Sequence, residues 1–397
     1  MRIAALNAEK ARALYRIQRA ELLPAVNAAG VWTEQRIPAD VSTESGEAKS
    51  FKQYTANVGM SSWELDFFGR IRSLKDQALE QYFATEHASR GTQISLMAET
   101  ANAYLTLAAD RENLRLAQST LKAQEDTYNL IRRRFEAGAS SELDMRQAQT
   151  RMEAARVDIS KYTRQVAADE NALNLLVGSP LPPELLPGEL DAIIAPRDIS
   201  ADLSSEVLLS RPDILQAESQ LKAVNASIGA ARAALFPRIA LTTNIGSTSY
   251  ELSGLFKAGS STWSFMPQIT MPIFDPRLWD AVTAVKVERE IAVARYEKAI
   301  QAAFRDVADT LALRGTVGDQ VAAQENLVKA SAETYRLSDA RYAKGIDSYL
   351  GVLDAQRSLY AAQQGLINLR LARLTNLVTL YRVLGGGTGI RASDTTQ

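Results

Sequence analysis

The chain carries one short sequence segment twice. Residues 134–143 read RFEAGASSEL, residues 341–350 read RYAKGIDSYL, and an Ala-Gln pair follows each copy after the same interval. The copies share an arginine, an aromatic residue, a glycine, a serine and a leucine in the same order. Because self-similarity at a constant offset indicates repeated structure, the sequence predicts a tandem duplication.

Each copy is predicted to form the tip of a long helical hairpin. Proline is absent from residues 69–136 and 277–344, which lead into the two tips. A continuous helix of about 68 residues would be about 100 Å long. Shorter proline-free segments return at residues 142–177 and 349–384, and the glycine in each tip suits a helix C-cap. We therefore predict two long antiparallel hairpins in each chain.

Two other segments, residues 24–63 and 237–274, are predicted to form strand hairpins. The alternation is clearest at Tyr54, Ala56 and Val58, which would share one face while polar or small residues occupy the other. Strands of about 9–11 residues with one apolar face are typical of membrane-spanning barrels. A soluble β-sandwich with one face in water fits the same alternation, so both structures stay open. Four strands do not close a barrel, whereas three copies of the chain would supply about twelve.

These patterns predict the following organisation. The first repeat covers residues 1–177 and contains a helix, a strand hairpin at 24–63, a long helix at 69–136 and a return helix at 142–177. A proline-rich crossover covers residues 178–211. The second repeat covers residues 212–384, with a helix, a strand hairpin at 237–274, a long helix at 277–344 and a return helix at 349–384, and a disordered tail covers residues 385–397.

Composition excludes several classes of protein. The 45 basic and 46 acidic residues leave a net charge of −1 without a basic patch, so we expect no nucleic-acid partner. The absence of cysteine excludes thiolate metal sites and a cysteine nucleophile, and one histidine excludes a histidine-rich metal site. The usual hydrolase, nucleotide-binding and metalloprotease motifs are missing. We therefore expect neither an enzyme nor a cofactor.

Five segments, in the same order along the chain, carry a resemblance to a known family. They are residues 63–70 (WELDFFGR), 211–214 (RPDI), 225–237 (NASIGAARAALFP), 252–256 (LSGLF) and 353–356 (LDAQ). In these segments the chain resembles the outer-membrane factor, or TolC, family, and in particular the OprM-like branch of multidrug efflux outer-membrane lipoproteins.

The resemblance implies a mostly helical fold with membrane β-structure. Duplicated helical hairpins would line an α-barrel tunnel in the periplasm, and four strands per protomer would contribute to a 12-stranded β-barrel in a homotrimer. The implied function is a passive exit duct for drugs and other small molecules, in the outer membrane of a Gram-negative bacterium. The implied partners are a periplasmic adaptor (membrane fusion) protein, an inner-membrane transporter of the resistance-nodulation-division type and the lipid bilayer.

Members of this branch begin with a signal peptide, a lipid-carrying cysteine and an opening helical segment. The printed sequence starts partway into that pattern, with Met1 followed by a charged amphipathic segment. We therefore expect the leader and the opening segment to be lacking from this chain. Two alternatives stay open: a soluble structural coiled-coil protein, and a non-functional truncated fragment of such a channel.

The resemblance assigns a periplasmic gate to the residues beyond the second tip. Leu350 and Asp354 are four residues apart and would share one helix face. Three carboxylates converging on an axis repel one another and bind cations, and a ring of leucines can close a pore by dewetting. Arg341 is a candidate ion-pair partner on the neighbouring helix.

The tips and the tryptophans complete the candidate sites. In the resembled family the adaptor docks on the tips, which here contain Arg134, Gly138, Ser141, Gly345 and Ser348. The tryptophans on or beside the strands are either packed core residues or an aromatic belt at the membrane interface, and they are Trp32, Trp63 and Trp263.

Overall fold

The computed structural model describes residues 1–38, 48–193 and 205–386. The helices are α1 (Arg2–Ala20), α2 (Arg70–Glu136), α3 (Glu142–Val177), α4 (Pro212–Ala233), α5 (Pro276–Ala343) and α6 (Tyr349–Val383), and the strands are β1 (Val26–Ile37), β2 (Lys49–Glu64), β3 (Arg238–Ser249) and β4 (Ser261–Thr270). Short 3₁₀ helices lie at Pro183–Leu185, Leu190–Ala192, Ser205–Ser210 and Leu252–Gly254. The predicted class, mostly helical with four strands, is confirmed.

The two long helices, α2 and α5, contain 67 and 68 residues. The tail predicted to be disordered falls almost wholly on residues 387–397, outside the described residues. No helix in the described part of the chain is both long enough and apolar enough to span a membrane. The division of the sequence into two repeats stays a prediction.

The chain forms two compact units, each built from both halves of the sequence. The strand unit contains Arg2–Ser89 and Asp213–Ala299, and the hairpin unit contains Arg90–Pro212 and Ile300–Gln397. The strands and the start of α2 therefore belong to the first unit, and both tips belong to the second.

In the strand unit the strands form one antiparallel sheet in the order β1-β2-β3-β4. The two sequence halves meet where β2 pairs with β3, with Val58 opposite Ile245. Gly246 allows this close approach, because a Cβ at this position would overlap the backbone of β2. Ile245 in turn lies opposite Trp263 of β4, so one face of the sheet carries a row of large apolar side chains. Ile245 is 65% exposed and Trp263 is 75% exposed.

The segment WELDFFGR makes the turn from β2 into α2. The Glu64 carboxylate accepts hydrogen bonds from Arg70, at 2.8 and 2.9 Å, and forms an ion pair with Arg238 of β3, at 2.6 Å. Asp66 accepts the backbone amides of Ile71 and Arg72 at 3.1 and 2.9 Å, which satisfies donors at the start of the helix. The two carboxylates thus join the end of β2 to β3 and to the first turn of α2.

In the hairpin unit the crossover packs against α2 and α6. Leu190 is buried in an apolar cluster with Leu105, Ala108, Ala109, Ile367 and Leu374. The Arg111 guanidinium donates to the carbonyl oxygen of Pro187 at 2.9 Å and to Glu170 of α3 at 2.7 Å. Among the residues that the structure describes, the proline-rich crossover has no long helix or strand of its own. These contacts hold it in place against the neighbouring helices.

Arg211, from the segment RPDI, directly precedes α4. Its side chain is buried against the C-terminal end of α6. Its guanidinium donates to the carbonyl oxygen of Val383 at 2.9 Å and to that of Ala303 in α5 at 3.4 Å. It also forms an ion pair with Asp306 at 3.6 Å. Carbonyl groups in the last turn of a helix have no partner within the helix, so Arg211 joins the C-terminal end of α6 to α5.

Replacing Arg211 with alanine is expected to destabilise the chain by about 3 kcal/mol, because the substitution removes buried charge-assisted hydrogen bonds. The matched control is Arg305→Ala, since Arg305 also bonds Asp306, at 2.8 Å, but its side chain is 70% exposed. Unfolding in detergent, followed by circular dichroism, should show a large loss for Arg211→Ala and little change for Arg305→Ala. Equal losses for the two variants would contradict the assignment.

Candidate functional site

The first tip joins α2 to α3 through a tight turn. Gly138 has a φ of 74°, a left-handed conformation that favours glycine, and the amide of Ala139 donates to the carbonyl oxygen of Arg134 at 2.7 Å. Ser141 caps α3 because its Oγ accepts the amide of Asp144 at 3.1 Å, while Asp144 accepts the amide of Ser141 at 3.4 Å. This reciprocal capping box starts the return helix at Glu142.

The second tip, between α5 and α6, has the same turn, but a different side-chain interaction stabilises it. Gly345 has a φ of 71°, and the amide of Ile346 donates to the carbonyl oxygen of Arg341 at 3.0 Å. Ser348 occupies the N-cap position without a side-chain capping bond. Instead, the Arg341 guanidinium holds Asp347 through two hydrogen bonds, one of them 3.0 Å long. The hydrogen bonds from Arg341 lower the pKa of Asp347.

The two tips are packed against each other just behind their turns. Buried residues of α2, α3 and α6 form an apolar cluster, which we call the tip cluster: Ile131, Ala148, Tyr349, Val352 and Leu353, with Tyr128, Met145, Tyr335 and Tyr342 packed against it. The ring of Tyr342 lies 5.1 Å from that of Tyr349. The Arg134 guanidinium lies over the ring of Tyr342 at 5.7 Å, which links the first tip to the second.

The predicted gate residues lie on the other face of α6. Leu350 is 55% exposed, and the Asp354 side chain is 57% exposed and pairs with Arg357 at 3.3 Å. Within the described residues Arg341 pairs with Asp347 of its own tip, so inside one chain it is not the partner of Asp354. The face of α6 that carries Tyr349 is therefore buried in the tip cluster, whereas Leu350 and Asp354 are exposed on the other face.

The sequence analysis missed a polar link between α3 and α6. The Tyr360 hydroxyl donates to Asp158 at 3.1 Å, and one turn further along, Gln364 donates to the Tyr162 hydroxyl at 2.8 Å. Burial, and then the neighbouring Asp158, raise the pKa of Tyr360. The sequence shows that Asp158 and Tyr162 are one turn apart on α3, and that Tyr360 and Gln364 are one turn apart on α6. It does not show the rotation of the two helices that brings these side chains together.

The predicted belt tryptophans lie in the strand unit. Trp32 is 60% exposed and Trp263 is 75% exposed, and Trp32 stacks on Tyr54 with ring centroids 6.5 Å apart. Trp63 lies beside an irregularity in the β2–β3 register and is more buried than the other two. In the described part of the chain no three histidine, cysteine or acidic side chains are arranged to hold a metal ion.

Comparison with known proteins identifies the family. The family model described as outer membrane efflux protein matches residues 1–179 and 203–386. The chain belongs to the outer membrane efflux protein family. This confirms the family named from the five sequence segments.

Relatives and solved structures of this family match almost the whole chain. The toluene efflux pump outer membrane protein TtgC of Pseudomonas putida is 51% identical over 389 residues, covering 98% of this chain and 80% of TtgC. A membrane protein of Pseudomonas aeruginosa has a crystal structure with a TM-score of 0.94 and 41% identity, covering 100% of this chain and 89% of that one. The open state of the MtrE outer membrane channel of Neisseria gonorrhoeae gives a TM-score of 0.88 and 39% identity, covering 97% of this chain and 86% of MtrE.

For this efflux protein the tip glycines provide a direct test of the turn geometry. Gly345→Ala is expected to destabilise the chain by about 1–2 kcal/mol, because alanine tolerates a positive φ poorly. Gly351→Ala is the control, since Gly351 lies in α6 with open space around its Cβ position and should gain about 1 kcal/mol in helix propensity. Unfolding midpoints that shift in the same direction for both variants would contradict the turn assignment.

Proposed function

We propose that this chain is the outer-membrane exit duct of a tripartite efflux pump. The observation that carries the proposal is the match over nearly the whole chain to outer membrane proteins of efflux pumps. Its location is the outer membrane, and it belongs to a family of channels rather than of known enzymes. The duct is passive and passes drugs and other small molecules, while toluene efflux is the activity for which TtgC is named.

The proposed assembly is a homotrimer with a shared barrel. The sheet ends at β1 and β4, and each leaves one edge without a partner strand within the described chain. Hydrocarbon does not tolerate open strand edges, so the sheet must close. Three copies would supply about twelve strands, an even number within the known range. The apolar row containing Ile245 and Trp263 would face lipid, with Trp32, Trp63 and Trp263 as interface residues.

The tips are the proposed meeting point with the rest of the pump. Both tips expose apolar side chains: Ile346 in the second turn is 58% exposed, and Leu143 in the first turn of α3 is 65% exposed. Exposed apolar groups at the end of an ordered hairpin suit a protein partner. The partners are a periplasmic adaptor and, behind it, an inner-membrane transporter of the resistance-nodulation-division type. The proposed docking residues are Arg134, Gly138, Ser141, Gly345 and Ser348.

The proposed gate is formed by Leu350 and Asp354. Both are exposed on α6 while the opposite face is packed, so three copies of the helix can present them to one another. Converging carboxylates and leucines would then narrow the pore. The pair between Arg341 and Asp347 holds the turn that leads into this helix.

The location and assembly can be tested by fractionating cells that express the chain and running the outer membrane fraction on an unheated gel. A trimer-sized band is expected. Phe265→Lys should prevent assembly, because a charge on the lipid face costs up to about 2–4 kcal/mol. Met266→Lys, on the opposite face of β4, should assemble normally. Monomer confined to the cytoplasm would instead support a soluble coiled-coil protein or a non-functional fragment.

The gate can be tested in planar bilayers. Asp354→Ala is expected to raise the basal open probability several-fold, since without the three carboxylates no cation can bridge the helices at the axis. Asp319→Ala, an exposed aspartate in the middle of α5, is the control and should conduct as the unmodified channel does. An unchanged basal open probability in Asp354→Ala would remove Asp354 from the gate.

A further inference from the structure

Tyr349 has a buried hydroxyl group that has no hydrogen-bond partner in the part of the chain that the structure describes. The residue is 2% exposed, and within the described residues its hydroxyl oxygen is buried and neither donates nor accepts a hydrogen bond. Its ring is well packed, as a member of the tip cluster and a neighbour of Tyr342. The ring therefore stabilises the packed tips, whereas the hydroxyl does not.

A phenylalanine would fill the same volume without this defect. Removing a hydroxyl from water without replacing its hydrogen bonds is unfavourable, and an apolar group of the same shape avoids that cost. Buried polar groups are satisfied in most proteins, so an exception needs an explanation. Here the exception lies directly before Leu350, at the start of the helix that carries the proposed gate.

An acceptor lies nearby but does not bond Tyr349 in this arrangement. Burial, and then the neighbouring Tyr342, Tyr335 and Asp339, raise the pKa of Tyr349, while Arg151 of α3 acts in the opposite direction. Asp339 is exposed on α5, one helical turn from both Tyr335 and Tyr342. Movement of α6 away from the cluster would expose the hydroxyl to water, and Asp339 is the acceptor on α5 whose charge acts on it.

We propose that Tyr349 is a positioning residue whose unsatisfied hydroxyl weakens the packed arrangement of the two tips and so biases the gate toward opening. The proposal rests on the exit-duct function and adds a device for its regulation. The packed tips are stable enough to close the pore but carry a defect that is relieved when they separate. An adaptor then needs less differential binding free energy to shift the population toward the open state.

Tyr360 is the matched opposite case on the same helix. Its hydroxyl has a partner, Asp158, at 3.1 Å. Tyr360→Phe therefore removes a bond that joins α3 to α6, whereas Tyr349→Phe removes only a defect. The two substitutions delete the same atom and are expected to act in opposite directions. A purely structural role for both tyrosines would make both variants less stable.

The test uses the full chain with either substitution. Tyr349→Phe should lower the basal open probability in planar bilayers about fivefold or more, and should slow hydrogen exchange of the amides in residues 341–353. Tyr360→Phe should raise the basal open probability and speed up the exchange of the same amides. Asp339→Asn should also lower the open probability, since it weakens the acceptor available to the separated tips.

The outcomes separate this proposal from the exit-duct function. If the unmodified chain conducts but Tyr349→Phe opens as often or more often, the proposal is wrong and the duct stands. If the unmodified chain does not conduct while exchange slows in Tyr349→Phe and speeds up in Tyr360→Phe, the duct is wrong and the strain at the tips stands. Exchange that speeds up or stays the same in Tyr349→Phe overturns the proposal in either case.

Discussion

The tip cluster is the packing on which the arrangement of the two tips depends. Long helices gain most of their stability from packing of their apolar faces rather than from helix propensity. Behind the two turns that packing is supplied by side chains from α2, α3, α5 and α6 around Tyr349. The turns themselves are held by backbone hydrogen bonds, by a capping box in one tip and by the pair between Arg341 and Asp347 in the other. Without the cluster the tips would separate.

Because this packing occupies only one face of α6, it leaves the other face available for function. Leu350 and Asp354 remain exposed beside fully buried neighbours. A movement that loosens the buried face must therefore also displace the exposed one. This geometric coupling makes the tips suitable for a gate. In the proposed gate, this coupling is the route by which the unsatisfied Tyr349 hydroxyl would act on conduction.

Much of this organisation was predictable from local patterns. Uninterrupted helices, glycine turns and alternating strands depend on neighbours in sequence, so the absence of proline between residues 277 and 344 was enough to predict α5. The partner of Arg341 was harder to predict. The sequence analysis offered Arg341 as an ion-pair partner for the gate residues of the neighbouring helix, whereas its guanidinium bonds Asp347 in its own turn. The turn bends the chain back, with the amide of Ile346 on the carbonyl oxygen of Arg341, and so places Asp347 within reach of the guanidinium.

The sequence by itself determined the lengths of the long helices, the positions of the tips and the alternation of the strands, because each depends on spacing along the chain. Only the tertiary structure decided which side chains meet. Tyr360 bonds Asp158 across 202 positions, and the Tyr349 hydroxyl is buried without a hydrogen-bond partner among the described residues. Both facts depend on the rotation and register of helices packed against each other, which many side chains set jointly and which no local spacing encodes.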